Sequence, residues 1–103
     1  MLIGSLLHEL GHITLFKSEL KSFQELAEFE GNAQKWAIDK AIKLGLSEVA
    51  RCLLGEFMSW GLEGYNPGQI DSDITPFLEH GNPYSYAAMD NEEWIANKWE
   101  KIV

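Results

Sequence analysis

The sequence predicts a small, mainly α-helical domain of about four helices with little or no β-sheet. Three observations carry this. Apolar residues recur at intervals of three and four over long stretches, no segment sustains period-two alternation, and glycines or an Asn-Pro-Gly turn separate the apolar runs. The 103 residues suffice for one core and not for two, so residues 1–103 read as a single domain.

The first helix is expected from about Leu2 to Phe16, with Leu6, Leu7, Ile13 and Leu15 burying it. A second, capped by Ser18 or Ser22, extends to about Leu44 and stops at Gly45. Its apolar stripe is Phe23, Leu26, Ala27, Ala33, Ala37, Ala41 and Leu44. The third is placed by Val49, Ala50, Leu53, Leu54, Phe57 and Met58 and ends near Gly61 to Gly64; Ser47 is half a capping signal. Tyr65-Asn66-Pro67-Gly68 opens a loop reaching Thr75, and Pro76 to His80 reads as one short helical turn. Asp90 followed by Glu93 resembles a capping box for the last helix, whose inner side is Trp94, Ile95, Trp99 and Ile102.

Sixteen acidic against eight basic side chains give a net charge of −8, which repels a phosphate backbone and disfavours direct nucleic-acid binding. A single cysteine, Cys52, cannot form an internal disulfide, and the apolar start is interrupted by His8 and Glu9 before a signal segment or membrane span is complete. A cytoplasmic chain with no membrane partner is expected. Apolar excess in so short a chain leaves surface that a second copy could cover as a homodimer.

The chemistry concentrates in His8-Glu9-Leu10-Gly11-His12. Each helical residue turns the chain by about 100°, so residues four apart stand on one face, one turn up. His8 and His12 can therefore reach one ion, while Glu9 lies to the side, where it can take a proton from water beside that ion. Two neutral imidazoles for Zn²⁺ and a carboxylate for proton transfer are what metal-assisted hydrolysis of a peptide bond requires. The alternative is two ordinary, partly buried histidines in a chance motif.

A zinc site used in catalysis usually takes a third protein ligand. Glu30 falls on the apolar stripe of the second helix, three residues from both Ala27 and Ala33, and an inward carboxylate needs a partner such as a cation. A helix broken at Gly31 would instead leave Glu30 at a solvated end. Glu93 is the rival ligand, although Asp90 as a cap already accounts for it. Gln34, one turn beyond Glu30, could accept the free N–H of a ligating histidine. His80 reads as a helix C-terminal histidine that could line the pocket, and Tyr84 and Tyr86 could donate to an oxyanion.

His8-Glu9-Leu10-Gly11-His12 followed by Glu30-x-x-Ala33-x-Lys35-Trp36-Ala37-x-Asp39-x-x-Ile42 resembles the ImmA/IrrE zinc metallopeptidases over about residues 3 to 44. That family usually carries strands and a helix before its first histidine, where this chain has seven residues, so the resemblance is to a minimal version. It implies a zincin-like fold with a glutamate third ligand: His8, His12 and Glu30 on Zn²⁺ and Glu9 as general base. It also implies a phage or mobile-element setting and a protein substrate or regulator, with helix-turn-helix repressors the usual targets. The alternative function is a non-catalytic, metal-stabilised regulatory module, its zinc closed by a fourth ligand such as His80 or a tyrosine.

Overall fold

The computed structural model describes residues 2–15, 23–61 and 83–102, and these form five α-helices and no strand. They are α1 (Leu2–Thr14), α2 (Phe23–Lys43), α3 (Ser47–Trp60), α4 (Pro83–Asp90) and α5 (Glu92–Ile102). The mainly helical class expected from periodicity is the class observed. None of the described helices is long and apolar enough to cross a membrane.

The α2 helix is the axis of the molecule, packed against α1, α3 and α4. Its central side chains explain how one helix serves three neighbours. Leu26, Ala27, Ala33, Ala37, Ile38 and Ala41 are all buried, and the short alanines let neighbouring backbones come close. Gly31 does not break the helix. It is buried, and a methyl group there would stand 3.1 Å from Asn91 Nδ2 and 3.4 Å from the Ala87 side chain, so its smallness seats the α4–α5 junction.

The end of α2 follows from local chemistry. Gly45 has φ +76°, which a residue without a Cβ adopts at little cost. The turn lets Leu46 N–H donate to Ala41 O at 2.8 Å and Gly45 N–H to Ile42 O at 3.0 Å, the paired bonds of a Schellman cap. Leu44, read above as part of the stripe, follows the last helical residue Lys43 and is exposed.

Residues Val49, Ala50, Leu53, Leu54, Phe57 and Trp60 bury one face of α3, which packs against α2, α4 and α5. Met58 is instead exposed, accepting a 2.6 Å hydrogen bond from Trp99 Nε1. Ile95 is the buried residue of α5, with Trp94, Trp99 and Ile102 partly buried against the core and Lys98 paired to Asp39 at 2.6 Å.

Three sequence expectations need correction. Ser47 is the first helical residue of α3, whose N-cap is Leu46 with no side-chain cap bond. Asp90 does not open the last helix: it closes α4, the chain turns at Asn91, and Ile95 N–H donates to Asn91 O at 2.9 Å to start α5. Before it lies α4, for which no expectation is stated above; Pro83 at its first position, where no N–H is needed, is its start signal. Third, α1 is not buried all round. Leu7 is buried, whereas Leu6, Ile13 and Leu15 are exposed, because α1 lies against the other helices along one side only. The expected caps Ser18 and Ser22, the turn at Pro76 to His80 and the loop before it lie outside the described residues.

The side of α1 that does pack turns on Gly11. A Cβ there would stand 2.8 Å from Ala33 O and 3.1 Å from Ala33 Cα, both backbone atoms that cannot swing aside. Gly11→Ala is therefore expected to force α1 off α2 and to destabilise the protein by about 2 kcal/mol despite alanine's better helix propensity. Gly55→Ala in α3, where an added methyl meets nothing within 4 Å, is expected to stabilise by roughly 0.5–1 kcal/mol. Opposite shifts in the midpoint of denaturant unfolding check both; a neutral Gly11→Ala would show that the helices have room to part.

Candidate metal centre

The close approach at Gly11 brings the inner face of α1 onto the middle of α2. His8 and His12 stand one turn apart on α1, and Glu30 projects from α2 between them. Glu30 Oε2 lies 3.1 Å from His8 Nε2 and 3.2 Å from His12 Nε2, and the two ring nitrogens are 2.9 Å apart. Three donor atoms on two helices thus form a nearly equilateral triangle. One ring nitrogen of each histidine and a carboxylate oxygen of Glu9 also lie within 4.8 Å of one another, with Glu9 on the exposed side.

Glu30 is 7 % exposed, which settles its surroundings: it is a buried carboxylate and not a frayed helix end. Burial by itself would raise its pKa. The hydrogen bonds from His12 and His8, and then their charge, outweigh burial and lower it to about 2. His8 shows the same balance from the other side: burial lowers its pKa, and the hydrogen bond to Glu30 and its charge, with a further hydrogen bond to Gln34, overcome it and raise it. Glu30 therefore faces the triangle as a carboxylate.

Gln34 orients the first histidine. Its Nε2 donates to Leu53 O at 2.9 Å in the buried contact between α2 and α3, so its Oε1 is the atom that faces His8. His8 Nδ1–H donates to that oxygen at 2.8 Å, so Nε2 is the ring nitrogen that faces Glu30 and His12. An amide can accept from one side and donate to the other, and a carboxylate at this position could not donate to Leu53. Gln34 is 0 % exposed, so neither of its contacts is shared with solvent.

Aromatic rings wall the cluster. Trp60 meets His8 edge-on at 5.9 Å, and Phe29 lies 4.4 Å from the ring of His12. Tyr84 packs edge-on against Trp60 at 4.8 Å and is half-buried, one ring removed from His8, while Tyr86 is exposed on α4. Glu93 is exposed in the first turn of α5, and His80 lies outside the described residues. Neither Trp60 nor Phe29 is assigned to the site from the sequence. Trp60 could have been found, since it continues the three-and-four spacing of Val49, Leu53 and Phe57; Phe29 carries no such signal.

The donor set fits a zinc ion. Two imidazole nitrogens and one carboxylate oxygen are zinc ligands in catalytic sites, and bonds of about 2.1 Å in a tetrahedral arrangement separate ligand atoms by roughly 3.4 Å, close to the edges of this triangle. The two Nε2 atoms also face each other at 2.9 Å, an arrangement that needs a proton or a cation between the lone pairs. His12 Nδ1 is buried without a hydrogen-bond partner among the described residues, so this histidine is held by its ring contact with Phe29 and by Glu30.

What fold and site define together is a helical domain with a two-histidine, one-glutamate cluster built between the facing sides of α1 and α2. No protein-family model, no curated protein and no solved structure matches the chain.

Proposed function

We propose that this chain is a zinc-dependent metallopeptidase that hydrolyses a peptide bond in a protein substrate. The observation that carries the reading is the convergence of His8 Nε2, His12 Nε2 and Glu30 Oε2 within 3.2 Å, with the carboxylate of Glu9 beside them on the open side. The resemblance to the ImmA/IrrE peptidases supports the same roles and points to helix-turn-helix repressors as substrates.

Each residue has a stated task. His8, His12 and Glu30 hold the ion, and Gln34 keeps the Nε2 of His8 free to do so. When bound, zinc acts as a Lewis acid that makes water a nucleophile near neutral pH and polarises a carbonyl. Glu9 accepts the proton from the attacking water and returns it to the departing amine, so no net proton is consumed by the enzyme. Trp60 and Phe29 exclude solvent from the inner side, which strengthens every charge interaction there.

The reading is tested by the metal itself. The purified protein is expected to retain one zinc ion per chain through dialysis, to cleave members of a mixed peptide library, to lose cleavage on chelation and to regain it with added zinc. A protein that takes up no zinc ends the proposal. Stoichiometric zinc without cleavage of peptides or of repressor proteins would favour the non-catalytic module instead.

A further inference from the structure

The histidine-bearing helix has a second face that the other described helices leave bare. On α1 the packed side is Gly4, Leu7 and Gly11, with His8 and His12 half-buried beside them. Pointing away from the core, Ile3, Leu6, Leu10 and Ile13 are 51 %, 59 %, 39 % and 71 % exposed. These are large aliphatic side chains in one line. Their spacing of three, four and three is that of the a and d positions of a two-helix seam.

Two features select the occupant. The order Ile, Leu, Leu, Ile at spacings three, four and three reads the same in both directions, so the stripe is complementary to itself when reversed. A two-fold axis between Leu6 and Leu10 sets Ile3 of one copy against Ile13 of the other and Leu6 against Leu10, an isologous pairing. Charge selects in the same sense. The chain carries −8 overall, so two copies repel, yet across residues 1–15 Glu9 is the sole Asp, Glu, Lys or Arg. The stripe itself, Ile3, Leu6, Leu10 and Ile13, adds no like-charge contact between two acidic copies.

We propose that α1 pairs antiparallel with α1 of a second copy through Ile3, Leu6, Leu10 and Ile13. The stripe leaves roughly 400 Å² of apolar side chain per copy to be covered, about half of what each partner gives a standard interface, so the dimer is reversible and depends on concentration. Its histidines face α2, away from the seam, and the pairing is independent of any metal.

Sedimentation equilibrium from about 1 to about 500 µM tests this. The wild-type mass is expected to rise toward that of two chains, while Leu6→Glu and Ile13→Glu stay monomeric with unchanged helical circular dichroism, both positions being exposed. A wild type that remains monomeric throughout overturns the proposal, as does a dimer that neither substitution weakens. Orientation, and any loss of folding in the glutamate variants, is covered by cysteine pairing in a Cys52→Ser background. Leu6→Cys mixed with Leu10→Cys should give a mixed disulfide dimer in excess over either protein alone. Predominant self-linking of Leu6→Cys would mean parallel helices and sink the antiparallel arrangement.

Discussion

Glu9→Ala is expected to bind zinc as the wild type does and to lose peptide cleavage by about 10²- to 10⁴-fold, the usual contribution of a positioned general base. Both halves follow from its place on α1. Glu9 is exposed and makes none of the contacts that bind His8, His12 and Glu30 to one another, so its removal leaves the triangle and the core unchanged. Its carboxylate oxygen nevertheless lies within 4.8 Å of the ring nitrogens, about the reach of one intervening water. Metal analysis after dialysis and cleavage rates measured on the same preparations check the pair of outcomes. Wild-type rates in the variant would take Glu9 out of the proposed chemistry; loss of zinc would make it a ligand and not a base.

Replacing the carboxylate on α2 is expected to act at the preceding step. Structural zinc sites are worth about 10–16 kcal/mol over four ligands, or roughly 3 kcal/mol for one, so Glu30→Gln should weaken zinc binding on the order of a hundred- to a thousandfold and take cleavage with it. The amide is nearly the same size, so the volume filled between α1 and α2 is kept while the negative charge is removed. Glu93→Gln is the control: that side chain is exposed on α5, and its loss should leave zinc affinity unchanged. Competition with a chromophoric chelator measures both. If Glu93→Gln lost zinc and Glu30→Gln kept it, the third ligand would have to be reassigned to α5.

Helix α1 shows how far periodicity reaches. That His8 and His12 share a face with each other and not with Glu9 is a property of the helical turn, and needs no neighbour to be true. The inward position of Glu30 has the same origin, because its spacing from Ala27 and Ala33 places it on the side that α2 turns to the core, and it is buried there. The stop at Gly45 is likewise local, since its positive φ and the two cap bonds involve only residues 41 to 46. The capping box at Asp90 misled because the same residues serve a helix end and a helix start, and only the chain's continuation through α4 distinguishes them.

The sequence by itself determined which side chains each helix presents together: His8 with His12, and Glu30 among the alanines of α2. Tertiary structure alone decided which faces meet. Gly11 against the Ala33 backbone sets the depth at which the histidines reach Glu30, and the Leu53 carbonyl of α3, by orienting the Gln34 amide, decides that its oxygen is the atom that holds His8 Nδ1. The reversal of expectation for Leu6 and Ile13 has the same cause. Periodicity fixes the angle between side chains on one helix, whereas burial depends on how many neighbours surround it, and the described helices cover α1 on one side only.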